Sequence, residues 1–319
     1  MKTQLKPLVI IAIAVLTLTL CNCSSNDNDN ENNQAPKVFS ITAVTDAAGF
    51  SKRVYHTSIV FDDKIWVIAG NGSGPSKNDV WSSPDGVLWT QTAIAPFSER
   101  WGHTSVVFDN KIWVIGGNRT NEVWNSPDGI TWTEVTVSAP FSGRGSHTSV
   151  VFDDKIWVIG GSDGNNSKND VWSSPDGITW TEAIASAPFS ERWNHTSVVY
   201  NNKMWVIGGL ILANNGTNKN DVWSSPDGIT WTSVNTAAGF SERSSHSSVI
   251  FDNKMWVIAG GGDGDIWSSS DGLSWSRALS ETTFPIRAGH TSVVLNDKIW
   301  VIGGRGQGAG FLNDVWTID

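Results

Sequence analysis

Six copies of one short motif carry most of the reactive side chains in this 319-residue sequence. The motif is Arg-x-x-His, and its copies lie 44 to 51 residues apart. The copies hold all six histidines, and they are Arg53–His56, Arg100–His103, Arg144–His147, Arg192–His195, Arg243–His246 and Arg287–His290. Imidazole suits metal binding and proton transfer, and a planar guanidinium binds carboxylate or sulfate through two parallel hydrogen bonds.

Repetition favours a structural role for these side chains. Six equivalent histidines exceed the four or fewer ligands that a first-row metal needs, so we expect hydrogen-bonding histidines, no metal and no cofactor. Two interpretations of the arginines stay open. In one, the six arginines ring a channel mouth and bind acidic groups of a ligand. In the other, each pairs with the acidic residue before the third strand of its repeat, namely Asp79, Glu122, Asp170, Asp221, Asp265 or Asp314.

The motif is followed in every repeat by segments with strand and turn chemistry. In the second repeat, His103–Phe108 and Lys111–Gly117 are β-branched and aromatic runs of strand length. Asp109-Asn110 is a two-residue hairpin turn, and Ser126–Gly129 (Ser-Pro-Asp-Gly) is a turn fixed by Pro and Gly. No segment of the repeat has a sustained helical period. We expect four antiparallel strands per repeat, named a to d, and an all-β, six-bladed β-propeller.

Three features recur together in most repeats. In the second repeat they are Gly116-Gly117 at the end of strand b, Trp124 in strand c and Trp132 in strand d. This pattern resembles the Kelch family, and the resemblance covers residues 38–319. It implies a propeller of four-stranded antiparallel blades. The first and fifth repeats depart slightly, with Ala-Gly at the diglycine position.

The two ends of the chain complete one repeat. The sixth repeat stops at Asp319, after strand c, and lacks a fourth strand. The N-terminal segment Ile41–Arg53 aligns with Trp231–Arg243, which contains strand d of the fourth repeat. We therefore expect the stretch near residues 38–44 to supply the last strand of the last blade. Residues 38–319 would then form one domain.

Chain direction divides the connections between two faces. The a–b turns and the Ser-Pro-Asp-Gly turns share one face and are nearly identical, whereas the b–c loops and d–a connections share the other and vary. Of 19 tryptophans, 17 recur at repeat positions, and the two others, Trp101 and Trp193, follow a repeat arginine on the variable face. We expect these two, Tyr55 and the six arginines to bind a protein or glycan ligand.

Composition excludes several functions. A net charge of −9 argues against a nucleic-acid partner, although the repeat itself spreads the acidic turn residues, and calcium on the turn face stays open. Galactose oxidase, a copper enzyme on a Kelch ring, needs a Cys–Tyr cross-link, but residues 38–319 hold no Cys and only Tyr55 and Tyr200.

An enzyme is the alternative to a binding module. The chain could be a carbohydrate isomerase resembling sialic acid mutarotase (N-acetylneuraminate epimerase), in which Glu99, Glu191 and Glu242 beside the repeat arginines would act as acid or base. The Glu-Arg pair, however, occurs alike in three repeats, which favours a structural role. We therefore assign no catalytic residue, and a binding module is the leading hypothesis.

The N-terminus has the pattern of an export signal. Lys2 and Lys6 precede the apolar stretch Leu8–Leu20, which is too short to span a bilayer. The segment resembles a bacterial lipoprotein signal, with Leu20 three residues before Cys23, or Leu18 before Cys21. We expect a signal peptide over 1–22, a lipid on Cys23, a disordered polar tether over 23–37, and a monomer on the outer membrane or cell surface, with a periplasmic or secreted protein as alternatives.

Overall fold

The structure is a computed structural model that describes residues 38–212, 216–262, 264–280 and 285–319. The expected signal peptide, the tether and Cys23 lie outside these residues. The described residues form strands and turns without any helix. No helix in the described ranges is long and apolar enough to cross a bilayer.

The strands follow the repeat. The N-terminal segment and repeat 1 contain β1 (Val38–Phe39), β2 (Ile41–Thr45), β3 (Arg53–Val54), β4 (Thr57–Phe61), β5 (Lys64–Gly72), β6 (Gly74–Ser83) and β7 (Thr90–Ile94). Repeats 2 and 3 contain β8 (Thr104–Phe108), β9 (Lys111–Gly117), β10 (Thr120–Ser126), β11 (Thr133–Thr136), β12 (Thr148–Phe152), β13 (Lys155–Ser162), β14 (Ser167–Ser174) and β15 (Thr181–Ile184).

The second half of the chain continues the pattern. Repeats 4 and 5 contain β16 (Thr196–Tyr200), β17 (Lys203–Ile211), β18 (Thr217–Ser225), β19 (Thr232–Asn235), β20 (Ser247–Phe251), β21 (Lys254–Ile258), β22 (Ile266–Ser269) and β23 (Ser276–Arg277). The rest are β24 (Leu279–Ser280), β25 (Arg287–Ala288), β26 (Thr291–Leu295), β27 (Lys298–Gly306) and β28 (Gly310–Ile318).

These strands build an all-β propeller of four-stranded antiparallel blades. Each of repeats 2 to 5 forms a separate sheet in the order a-b-c-d. The strands of repeats 1 and 6 belong to one ten-stranded sheet, because the short strand β3 pairs with both β5 and β28. Within it, β4 to β7 form one antiparallel set, and β26, β27, β28 and β2 form another.

The a–b turns take the tight hairpin geometry expected from their sequence. Both residues of each turn lie in the left-handed region, as in Asp109 (φ 48°) and Asn110 (φ 51°). This is the turn type whose twist matches that of antiparallel strands, and Asp and Asn tolerate it better than most residues. The resulting registers are regular, with Phe108 opposite Lys111 and Val106 opposite Trp113.

The N-terminal segment pairs with the end of the chain. Strand β2 runs antiparallel to β28, with Ile41 opposite Ile318. The side-chain amide of Asn313 donates to the carbonyls of Ala48 and Phe50, at 3.0 Å each. In repeats 1 to 4 the corresponding asparagine makes the same bonds within its own repeat, as Asn121 does to Ala139 and Phe141. The N-terminal segment therefore replaces the missing fourth strand of repeat 6.

Neighbouring repeats pack against each other through a tryptophan of one repeat and a turn glycine of the next. The indole of Trp66 in strand b of repeat 1 lies against Gly129 in the Ser-Pro-Asp-Gly turn of repeat 2, where an added Cβ would sit 2.1 Å from the ring. Trp113, Trp157, Trp205 and Trp300 meet the same turn glycine of the following repeat. Trp256, whose neighbour is repeat 6, instead packs edge-on against Phe39, with ring centroids 4.7 Å apart.

This contact predicts a stability difference between two glycine substitutions. Gly129 (φ 71°) and Gly308 (φ 74°) have nearly the same backbone conformation, but nothing lies within 4 Å of a Cβ at Gly308. We expect Gly129→Ala to lower the free energy of unfolding by about 1–3 kcal/mol more than Gly308→Ala, because only the first methyl overlaps an indole. Urea unfolding followed by tryptophan fluorescence measures both. Equal losses would mean that the backbone conformation alone requires glycine.

Candidate functional site

The six repeat arginines lie inside the protein. Five have no exposed surface, and Arg287 is 1% exposed. Each guanidinium forms an ion pair with the acidic residue before strand c, with N–O distances of 2.6 to 2.8 Å. The ion-pair interpretation is confirmed. The expectation that Arg53, Arg100, Arg144, Arg192, Arg243 and Arg287 face a ligand is corrected, because burial separates them from the solvent that a ligand would displace.

Arg144 illustrates how fully such a guanidinium is used. It donates to both carboxylate oxygens of Asp170 at 2.7 Å, to the Gly160 carbonyl at 2.9 Å, and to the carbonyl and hydroxyl of Ser142. Its cationic carbon lies 5.4 Å from the centre of the Phe141 ring. Burial raises the pKa of Asp170, but the hydrogen bonds and charge of Arg144 outweigh that effect and lower the pKa below its usual value. The arginine ties strands b and c to the d–a connection.

The six histidines form a ring of hydrogen bonds between neighbouring repeats. The Nε2 atom of His103 in repeat 2 lies 3.0 Å from the hydroxyl of Thr57 in repeat 1. His147 of repeat 3 makes the same contact with Thr104 of repeat 2. The ring closes where His56 of repeat 1 meets Thr291 of repeat 6, also at 3.0 Å. Burial, and next the positive charge of Arg144, lower the pKa of His147 to about 3. Such histidines are neutral hydrogen-bonding groups at physiological pH.

A second ring, made of backbone atoms, was not anticipated from the sequence. The residue before each histidine has a positive φ of 52° to 65°, and its N–H donates to the carbonyl of the equivalent residue in the preceding repeat. The six members are Tyr55, Gly102, Ser146, Asn194, Ser245 and Gly289. Tyr55 N–H donates to the Gly289 carbonyl, so the ring is continuous through both ends of the repeat array. Together with the histidines, the ring surrounds a cavity of only about 110 Å³.

Trp101 and Trp193 line one cleft on the variable face. The cleft has a volume of about 390 Å³. Gly145, which follows Arg144, lies between the two tryptophans because repeat 3 lies between repeats 2 and 4. The backbone of Trp193 pairs with Leu210 in both directions, at 3.0 and 2.8 Å, and the Trp101 carbonyl accepts from Asn118 at 3.1 Å. Both indoles are therefore held by firmly bonded backbone.

Tyr55 lies beside this cleft and not in its lining. Its ring is tilted against that of Trp101, with centroids 5.7 Å apart. Tyr55 faces the central opening together with His56 and His103. Of the residues expected to bind a ligand, the structure therefore brings Trp101 and Trp193 together, with Tyr55 behind Trp101.

The variable loops supply the rest of the cleft. The further lining residues are Asn118, Arg119, Gly145, Ser146, Ser162, Gly164 and Leu212. Sequence reasoning missed them because loops that differ between repeats carry no periodic signal. Their one detectable sign is the unusually short b–c loop of repeat 2, Asn118-Arg119, beside Trp101.

Comparison with known proteins identifies the family. A family model described as the KLHDC2/KLHL20/DRC7 Kelch-repeats domain matches residues 102–271, which is more than half of the chain. The chain belongs to the Kelch-repeat family. A Kelch motif model also matches residues 286–319. These matches confirm the resemblance inferred from the diglycine and tryptophan pattern.

A Kelch-like fold is also found among solved structures. The structure of YjhT superposes with a TM-score of 0.68, over 84% of this chain and 95% of YjhT. The two sequences are 18% identical, so this likeness concerns the fold alone. No curated protein sequence matches the chain.

The candidate acid–base groups of this Kelch chain are not assembled. Glu99, Glu191 and Glu242 are exposed, and each belongs to a different repeat. The arginines that follow them are paired with Glu122, Asp221 and Asp265 instead. None of the three glutamates lines the tryptophan cleft. Within the described residues, no group of three or more His, Cys, Asp or Glu side chains is arranged to hold a metal ion.

Proposed function

We propose that this Kelch chain binds a carbohydrate in the cleft between Trp101 and Trp193. The observation that carries the proposal is that the only two tryptophans outside the repeat pattern line the same cleft. Aromatic faces pack against the C–H surface of sugar rings, and neighbouring polar groups bond the hydroxyls. Asn118 and Ser162 supply such groups here. The volume, about 390 Å³, falls within the range of small-ligand sites.

The cleft is presented by a ring that we infer to have six blades. The four separate sheets and the two four-stranded sets of the ten-stranded sheet correspond one to one with the six sequence repeats. The pairing of β2 with β28 and the continuous backbone ring through Tyr55 and Gly289 support closure by the N-terminal strand. A closed ring holds the two indoles in fixed positions before the ligand arrives, which limits the entropy lost on binding.

A sugar suits the cleft better than a protein surface does. A stable protein interface buries about 800 Å² on each partner, whereas this cleft offers two aromatic walls around the space of one small ring. Leu212 at its edge is 47% exposed and extends the apolar wall. A protein ligand that inserts a single side chain is the competing outcome of the experiment below.

Binding without chemistry is favoured over isomerisation. A mutarotase-like enzyme needs a general acid and base beside the sugar. The described lining of the tryptophan cleft contains no Asp, Glu or His side chain. The likeness to YjhT is compatible with either function because it concerns the fold alone.

We also propose that the protein is exported and anchored through a lipid on Cys23. The support is the sequence pattern of residues 1–23, with its two lysines, apolar stretch and Leu20–Cys23 spacing. The polar segment 23–37 would then hold a monomeric propeller at the outer membrane or cell surface. The glycan-binding face would be available to extracellular polysaccharide.

Substitution of the two tryptophans tests the site. We expect Trp101→Ala and Trp193→Ala each to weaken glycan binding about tenfold or more, because each removes one stacking wall. A glycan array selects the probe, and calorimetry measures its Kd. Ser244→Ala is the matched control, since Ser244 follows the repeat arginine in repeat 5 and lies outside the cleft.

The outcomes separate the hypotheses. Unchanged Kd values for both tryptophan variants would place the site elsewhere. An array without any bound glycan would remove carbohydrate as the ligand and favour a protein. Accelerated anomer exchange of a bound sugar, followed by NMR, would show that the protein is an isomerase.

A further inference from the structure

Arg119 is the only charged residue in the described lining of the tryptophan cleft. Its side chain is exposed, and it forms no hydrogen bond, ion pair or ring contact with any described residue. The six repeat arginines differ completely, because each is buried and paired with a carboxylate. In a chain with a net charge of −9, this guanidinium remains available to a ligand.

The backbone of Arg119 adopts a conformation that is unfavourable for arginine. Asn118 and Arg119 form the two-residue turn between β9 and β10, with φ values of 49° and 67°. The second position of such a turn is usually glycine, and an arginine there costs about 1 kcal/mol. No hydrogen bond, ion pair or ring contact of the Arg119 side chain with the described residues compensates for this cost. Strain that the fold does not explain is most often found at functional positions.

Glycine in the neighbouring repeat makes room for the guanidinium. A Cβ at Gly164 would lie 2.2 Å from Nε and 2.3 Å from the central carbon of the Arg119 guanidinium. A side chain at Gly143 would likewise collide with the Arg119 carbonyl, at 2.0 Å. Two side chains are absent where they would displace this turn, so the guanidinium has room at the edge of the cleft.

The acidic group closest along the opposite loop is already occupied. Asp163 precedes Gly164, and its carboxylate accepts from the ammonium group of Lys168 at 2.9 Å and from the backbone N–H groups of Asn165 and Asn166. These bonds lower the pKa of Asp163 to about 2, and the bond from Lys168 has the largest effect. The carboxylate therefore stays ionised and bound to Lys168 and the two N–H groups. Among the described residues, Arg119 therefore has no acidic partner.

We infer that the carbohydrate bound in this cleft carries an anionic substituent, a carboxylate or a sulfate, that pairs with Arg119. This inference rests on the proposed function. The sugar ring lies between the indoles of Trp101 and Trp193, and its acidic group forms parallel charge-assisted hydrogen bonds with the guanidinium. Arg119 thus determines specificity for acidic over neutral glycans.

A glycan array with neutral, carboxylated and sulfated members tests the inference on the purified protein. We expect the bound glycans to be acidic, and the carboxylated and sulfated subsets to show which anion is preferred. For the best of them, calorimetry should give a Kd about 10- to 100-fold weaker in Arg119→Gln than in the native protein. Arg119→Lys should restore part of the loss, because a single charge remains without the planar fork.

Arg305→Gln is the matched control. Arg305 is exposed, lies near the end of β27 in repeat 6 and is outside the cleft, so its removal changes the net charge of the protein equally. Its Kd should match that of the native protein. Binding of neutral glycans with Kd values unaffected by Arg119→Gln would overturn this inference and leave the carbohydrate site standing. Absence of any glycan binding would overturn the proposed function and this inference together.

Discussion

Mild acid is expected to unfold this protein cooperatively, between about pH 4 and 5.5. All six histidines are buried, and their pKa values lie far below the usual value, at about 3 for His103, His147, His195 and His246. Burial is the main cause, and the charge of the neighbouring arginine adds to it. The unfolded chain, by contrast, protonates these groups near pH 6.5.

The direction of the effect follows from proton linkage. Between pH 6.5 and 3 the unfolded state binds more protons than the native state, so the free energy of unfolding falls as the pH falls. Each histidine contributes about 1.4 kcal/mol per pH unit within this window. Asp79, Asp170, Asp221 and Asp265, whose pKa values are lowered, add a further loss only below about pH 4.

Urea unfolding at pH 7, 6 and 5, followed by tryptophan fluorescence, measures this dependence. His147→Gln is the informative variant, since it can keep a hydrogen bond to Thr104 without titrating. Between pH 6 and 5, its free energy of unfolding should fall by about 1.4 kcal/mol per pH unit less than that of the native protein. A free energy of unfolding that is constant from pH 7 to 5 would contradict the prediction.

Removal of one repeat arginine is expected to destabilise the fold strongly. Arg144→Met should lower the free energy of unfolding by about 3–5 kcal/mol, because it leaves the carboxylate of Asp170 largely buried without its cation. The Gly160 carbonyl and the Ser142 groups also lose their donor. Urea unfolding at pH 7 measures the loss.

Two further variants separate the ion pair from packing. Asp170→Leu combined with Arg144→Met should recover part of the stability, since no buried charge is then unpaired. Arg119→Met removes an exposed arginine that has no ion pair with a described residue, and it should change the free energy of unfolding by no more than about 0.5 kcal/mol. Unchanged stability of Arg144→Met together with lost glycan binding would restore the ligand-facing interpretation of the arginines.

The fold was accessible from local sequence because each repeat carries its own turns. Asp109-Asn110 and Ser126–Gly129 specify hairpin geometry within a few residues, and the six copies reinforce the pattern. The partner of each arginine was also within reach, since the acidic residue recurs at the start of strand c. Whether the arginines form ion pairs inside the fold or face a ligand depends on their burial. A repeated sequence pattern does not show how deeply a side chain is buried.

Other features depended on contacts between distant segments. Phe39 occupies the position of a turn glycine against Trp256, and nothing in the dipeptide Val38-Phe39 indicates this role. The backbone ring includes Tyr55 at φ 54°, although tyrosine is not a residue expected in the left-handed region. Arg119 acquires its importance from Gly164 and the tryptophans, which belong to other parts of the chain.

Periodicity thus sufficed for the strands, the turns, the Kelch family and the two tryptophans that stand outside the repeat, because short-range chemistry and spacing encode all of these. The cleft between Trp101 and Trp193 exists only because repeats 2 and 4 flank a glycine in repeat 3. The same ring geometry buries the six repeat arginines, whereas the sequence was compatible with either buried or ligand-facing side chains. Exposure and proximity arise when blades pack side by side, and that packing joins residues tens of positions apart.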